Sequence, residues 1–204
     1  KNANGEFIAF LDQDDLWLPR KIEKQLQIMM ENDELALVHS HFLFIDQNGD
    51  RIDSLWQHPE VSGHCFSEMF LGNKIGMLTV LVKRKYIMDA GMFDESIAIT
   101  DDYDLWLKIT YDRAIGYIRE PLAFYRYHGE NTSGNVEAFK KNELKVLQQI
   151  LDLHPNIYEK INPAIINKRL FSVVIQLCKI SKNNGNHNNY AIYSAMAYEI
   201  SPFG

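Results

Sequence analysis

The sequence predicts an α/β fold: a mixed sheet followed by a small all-helical module. Three observations predict it. Short apolar runs at residues 6–12, 35–45, 76–83 and 115–127 have the length of buried strands. The stretches between them, at 19–32, 84–90 and 102–112, either repeat apolar residues at helical spacing or carry helix start and stop signals. After about Gly134 the strand-like runs cease and only helical periodicity remains. Alternating strands and helices indicate a mostly parallel sheet, here with an antiparallel hairpin added.

Each element has its own local reason. The run EFIAFLD at 6–12 is apolar until it ends on acid, as expected of a buried parallel strand opening on a site. Pro19 suits the first turn of a helix, and Ile22, Leu26, Met29 and Met30 mark that helix's apolar face. Asn48-Gly49 is a hairpin turn signal after the strand at 35–45, and the returning strand begins RIDSLW. A short helix is expected at 64–72, a core strand at 76–83, and a helix at 84–90 closed by Gly91. Pro121 marks a bend or edge position within the extended run 115–127. Gly129 and Ser133-Gly134 suggest a mobile loop beyond it. Further on, Val136, Phe139, Leu147, Ile150 and Leu151 mark one amphipathic helix, and Asn162-Pro163 opens a second. The polar stretch KNNGNHNN leads to a third, rich in Ala and Tyr. The expected division is 1–134 and 135–204.

Bulk properties exclude several classes. The 204 residues carry a net charge of −6, which argues against nucleic-acid binding, where clustered Lys and Arg must replace phosphate counterions. No run of about 18 apolar residues marks a membrane span. Cys65 and Cys178 stand far apart in no metal spacing, so reduced thiols in the cytoplasm are expected.

Three polar stretches carry candidate chemistry. Asp12-Gln13-Asp14-Asp15 follows the first strand at once. Carboxylates crowded in a partly desolvated site repel one another, and a divalent cation relieves the repulsion. If the strand geometry persists, Asp12 and Asp14 share a face and address one ligand; otherwise the stretch is a polar turn with Asp15 capping the next helix. Thr100-Asp101-Asp102-Tyr103-Asp104 opens the helix containing Trp106. The exposed amides and macrodipole of a first turn favour ionised carboxylates there, which can be plain caps or a general base. Trp106 can be core or a sugar platform. Tyr125-Arg126-Tyr127-His128 ends the following strand, where His128 can bind metal or phosphate and Arg126 can neutralise phosphate or pair with a surface acid.

Taken in order, four stretches resemble the inverting family 2 glycosyltransferases of the GT-A fold. They are NANGEFIAFLDQDDLWLP, GMLTVLVKRKYIMDAGMFDESI, TDDYDLWLKI and IREPLAFYRYHGENTS, spanning about residues 3–133. The resemblance implies a partial GT-A, Rossmann-like sheet. It also implies transfer of a sugar, with inversion, from a nucleoside diphosphate sugar (commonly a UDP-sugar) to a glycan or lipid-linked acceptor. By position, Asp12 lies near the donor, Asp14 ligates Mg²⁺ or Mn²⁺, and Asp15 supports the loop. Asp102 is the general base, beside Asp101, where the family more often has Glu. His128 contacts metal or diphosphate and Arg126 a phosphate, while Gly91, Phe93, Asp94 and Trp106 sit on the acceptor side. The resemblance further implies a nucleotide-binding segment ahead of Lys1 and a cytoplasmic enzyme with peripheral contact to the inner membrane face. Two other readings remain open. One is a non-catalytic sugar-binding or scaffold relative; the other is a Mg²⁺-dependent phosphatase, against which the absence of a phosphate-cradling Thr after the acidic cluster counts.

Overall fold

The computed structural model describes residues 2–53, 60–128 and 134–201. Expectations that fall on 54–59 and 129–133, including most of the returning hairpin strand and the loop after His128, lie outside the described residues. Two compact units emerge: residues 1–94 with 105–131, and residues 95–104 with 132–204.

The first unit is built on a six-stranded mixed sheet. Its strands are β1 (Phe7–Ala9), β2 (Leu16–Trp17), β3 (Leu35–Ile45), β4 (Arg51–Ile52), β5 (Leu81–Lys83) and β6 (Ala114–Arg126). The order is β1-β5-β3-β6-β2, with β4 paired to β3. β3 occupies the centre, with apolar runs on either side of His39-Ser40-His41, and its first six residues are all buried. The helices are α1 (Lys21–Glu31), α2 (Phe66–Phe70), α3 (Arg84–Asp89) and the later part of α4 (Asp101–Thr110).

Two expectations about the sheet are corrected. Only β3 and β6 run parallel, and the pairs β1–β5, β5–β3, β3–β4 and β6–β2 are antiparallel. The first strand is a three-residue, half-buried edge strand rather than a buried parallel one. Run length reveals burial, but strand direction depends on partners distant in sequence. The expected strand at 76–83 is likewise shorter, because Met77–Thr79 forms a 3₁₀ turn before β5.

Local signals fared better. Asn48-Gly49 turns β3 into β4, with Gly49 at φ 93. Gly91, at φ 83, closes α3. Pro121 sits where β6 slips register against β3, which accommodates its missing N–H inside the sheet. Along α1, Ile22, Leu26 and Met29 pack on Leu35, Val38 and Leu81. Met30 instead points to solvent, and the buried positions of that helix are Lys21, Gln25 and Met29. The Lys21 ammonium donates to Gln25 Oε1 (2.8 Å) and the Val80 carbonyl (3.3 Å) and lies over the Trp17 ring. Burial pushes its pKa down to about 7.

The second unit contains α5 (Val136–Leu153), α6 (Pro163–Asn183) and α7 (His187–Glu199). Asn162 caps α6 by accepting from the Ala164 N–H, with Pro163 in the first turn, where its missing donor costs nothing. Gly185, at φ 67, turns the polar linker into α7, which Asn186 caps. α6 packs on both α5 and α7, and its buried residues include Val173, Val174 and Leu177. Cys65 and Cys178 are both free and buried. Among the described residues, no helix is long and apolar enough to cross a membrane.

Candidate active site

β1, β3 and β6 point the same way, so their carboxyl ends lie at one end of the sheet. Open α/β sheets bind ligands at such an end. The acidic stretch Asp12–Asp15 follows β1, Asp46 follows β3, and Arg126 to His128 finish β6.

Hydrogen bonds bring these three segments together. Asp14 Oδ2 and His128 Nε2 stand 3.0 Å apart, both partly exposed. The Arg126 guanidinium donates from Nε to the Asp14 carbonyl (2.8 Å) and from Nη1 to the carbonyls of Asp46 (2.8 Å) and Gln47 (3.3 Å). In return, the Arg126 backbone N–H donates to Asp15 Oδ1 (2.9 Å). Arg126 therefore ties the acidic turn to the β3–β4 hairpin. A guanidinium engaged by three backbone carbonyls acts as a brace between these segments.

The extended geometry that would have aligned Asp12 and Asp14 does not persist. The chain turns at Gln13-Asp14, where the Asp15 N–H bonds back to the Asp12 carbonyl (3.2 Å). Asp12 is exposed, Asp14 half-buried and Asp15 buried. Asp15 does not cap α1, whose N-cap is Arg20 without a side-chain capping bond.

The two inner carboxylates titrate in opposite directions. The hydrogen bond from His128 holds Asp14 below the usual carboxylate range. Burial, with Asp14 and Asp12 close by, raises Asp15 to about 6. Since this value exceeds that of the unfolded chain, the folded state gains stability as pH falls through 6 and carries a penalty above it. Asp15→Asn keeps an oxygen for the Arg126 N–H and removes the buried charge. With divalent cations chelated, it is expected to stabilise the protein by about 1–3 kcal/mol at pH 8, the gain vanishing near pH 4. Denaturant midpoints at the two pH values check this.

The Asp14 carboxylate is a ligand type that Mg²⁺ and Mn²⁺ accept, and an imidazole nitrogen is one more usual for transition metals. Among the described residues, no group of three His, Cys, Asp or Glu side chains converges on a cation position. An ion held by these two side chains would need its remaining ligands from substrate phosphates and water, as Mg²⁺ commonly takes them.

The second acidic cluster opens α4 in the second unit. Asp101, Asp102 and Asp104 all fall in its first turn. Asp102 Oδ1 accepts from the Tyr103 N–H at 2.6 Å, while Asp104 is fully buried. The sequence assigned Asp104 no role of its own; its helical phase relative to Asp101, three residues earlier, could not say which acid faces inward.

The residues expected on the acceptor side divide. Trp106 is fully buried and meets Phe10 edge-on at 6.0 Å, so it is core and not a sugar platform. Phe93 packs edge-on against Phe10 at 5.6 Å. It lines a small apolar cavity of about 170 Å³ with Ile8, Ile87, Met88 and Met92. Asp94 is half-buried beside it in sequence, at the end of the first unit's opening segment.

The chain is similar to several known proteins. The chain is 30% identical over 186 residues to a glycosyltransferase of Rickettsia bellii, covering 90% of this chain and 26% of that protein. It is 30% identical to the putative teichuronic acid biosynthesis glycosyltransferase TuaG of Bacillus subtilis, covering 76% of this chain and 60% of TuaG. It is 29% identical to the Escherichia coli UDP-Glc:alpha-D-GlcNAc-diphosphoundecaprenol beta-1,3-glucosyltransferase WfgD, covering 69% of this chain and 53% of WfgD. The chain thus spans between about a quarter and three fifths of these relatives' length. The crystal structure of S. aureus TarS 1-349 in complex with UDP-GlcNAc matches with a TM-score of 0.52 at 13% identity, covering 97% of this chain and 69% of that one, which shows a common GT-A-like fold. The model of glycosyl transferase family 2 matches residues 1–85, the stretch that holds β1, the acidic turn and the central strand, and with the relatives above this match supports a family 2 glycosyltransferase.

Proposed function

We propose that the full-length protein transfers a sugar, with inversion, from a UDP-sugar to a hydroxyl of a glycan or lipid-linked acceptor at the cytoplasmic membrane face, using Mg²⁺ or Mn²⁺. The observation that carries this reading is the Asp14–His128 pair, braced by Arg126 at the carboxyl end of the sheet. The family match supports the reaction class, and the names of WfgD and TuaG support the donor and acceptor classes.

Asp14 and His128 would hold the divalent ion, which when bound offsets the negative charge of the departing nucleoside diphosphate. Asp12, exposed on the same turn, faces the donor. Arg126 keeps the acidic turn and the hairpin in register, so that Asp14 and His128 are presented together. Asp102 takes the proton of the attacking hydroxyl as the new glycosidic bond forms, and Asp101 lies beside it at the helix start. A single displacement inverts the anomeric centre without a covalent enzyme intermediate.

The test uses the full-length protein, a panel of UDP-sugars and membrane-derived acceptors, with UDP release as the readout. Chelation with EDTA is expected to abolish transfer, and Asp14→Asn to raise the half-saturating Mn²⁺ concentration at least tenfold, on the order of other losses at metal sites. Transfer indifferent to both would sink the metal assignment. Phosphate release from simple phosphomonoesters, with no sugar transfer, would favour the phosphatase reading instead.

A further inference from the structure

The reaction scheme above assigns no task to residues 135–204, yet these helices are fastened to the stretch that carries the second acidic cluster. On α5, Asn142 Oδ1 accepts from the Ala98 N–H (3.2 Å). Lys145 Nζ, one turn on, donates to the Ser96 carbonyl (2.8 Å) and hydroxyl (2.9 Å). On α6, Arg169 pairs with Glu143 of α5, and the two charges act electrostatically on the buried Tyr103 hydroxyl of α4. Lys140 Nζ completes the group, 2.7 Å from Glu143. Tyr103 is 1% and Glu143 5% exposed, so the core of this network is dry. Residues 95–104 accordingly form one compact unit with 132–204 rather than with the rest of α4.

Burying an Arg–Glu pair is a poor way to gain stability. Desolvation consumes much of the attraction, and apolar residues of similar volume often hold helices together as well. What the pair adds is a fixed point. A guanidinium held by Glu143 is a fixed charge beside the Tyr103 phenol, and together with the Asn142 and Lys145 bonds to Ala98 and Ser96 it ties the first turn of α4 to α5 and α6. Asp102 immediately precedes that phenol in the chain.

We propose that α5 and α6 are a positioning module for the base-bearing turn. Glu143, Arg169 and Tyr103 are positioning residues that fix Asp101 and Asp102 for proton abstraction. This rests on the reading of Asp102 as general base. The three residues act through the backbone of the turn and do not touch the donor. A displacement of about 1 Å at such a group costs on the order of a hundredfold in rate.

Tyr103→Phe removes only the hydroxyl, and Glu143→Gln, the second variant, keeps the shape while loosening Arg169. In the full-length protein each is expected to lower kcat about tenfold to a hundredfold, with the KM for UDP-sugar changed less than twofold. Hydrogen exchange supplies a readout independent of turnover. The amides of residues 99–105 should exchange faster in both variants, while those of 7–17 and 122–128 keep the parental rate. Unchanged exchange at 99–105 in both variants overturns the proposal, as does faster exchange with parental kcat. The underlying reading fails separately, by Asp102→Asn transferring sugar at the parental rate.

Discussion

Asp102→Asn in the full-length protein is expected to lower kcat for sugar transfer by about 10²–10⁴-fold, the span that a positioned general base supplies. Donor affinity, measured by calorimetry with UDP-sugar and Mn²⁺, should stay within a few-fold. The substitution is a narrow one. The new amide keeps an oxygen where Asp102 Oδ1 now accepts from the Tyr103 N–H, so the first turn of α4 has no reason to unwind. What it removes is the capacity to take a proton. The helix terminus, whose amides and dipole favour an anion, then holds a neutral group. A loss confined to kcat and kcat/KM together identifies an interaction used only in the transition state. Asp101→Asn, one residue earlier, should cost far less on the proposal that Asp102 is the base. A fall in donor affinity with kcat preserved would remove Asp102 from the base position.

The signals that read correctly from the sequence were those whose cause lies within a few residues. Asn162-Pro163 started α6, Asn48-Gly49 turned the hairpin, and Gly91 closed α3, because each depends on backbone preferences that neighbouring residues set. The apolar stretch of β3 was legible to the residue, since a strand buried on both faces needs a continuous run. The misreadings share a different cause. β1 was expected to be parallel, but its direction is decided by Leu81–Lys83, more than seventy positions away. Met30 looked as apolar as Met29, yet Lys21 and Gln25 fill the inward face of α1 because the Val80, Val38 and Thr79 carbonyls await donors there. At the site, the residues of the Asp14–His128 pair were both named from the sequence, in separate motifs. Their 3.0 Å approach depends on Arg126, whose three carbonyl partners no local pattern discloses.

Trp106→Ala is expected to destabilise the protein by about 3–5 kcal/mol, the usual cost of emptying a buried indole site. Its melting temperature should fall by roughly 6–20 °C on the scale for chains of this size. Trp106 is 0% exposed and meets the edge of Phe10, which in turn meets Phe93, so its removal opens a void under the residue that leads into the acidic turn. Trp106→Phe should cost much less. It retains the aromatic contact, and the indole Nε1–H it deletes is buried without a hydrogen-bond partner, so no bond is lost with it. A sugar-stacking tryptophan makes the opposite forecast: truncation would weaken acceptor binding and leave the melting temperature near its parental value, since an exposed ring contributes little to the core. Thermal unfolding of the two variants beside the acceptor KM of each separates these cases. A normal melting temperature for Trp106→Ala with a raised acceptor KM would return the ring to the binding surface. The expected pattern, a large stability loss for Ala and a small one for Phe, assigns it to the packing that holds Phe10, and through Phe10 the start of the turn that carries Asp12 and Asp14.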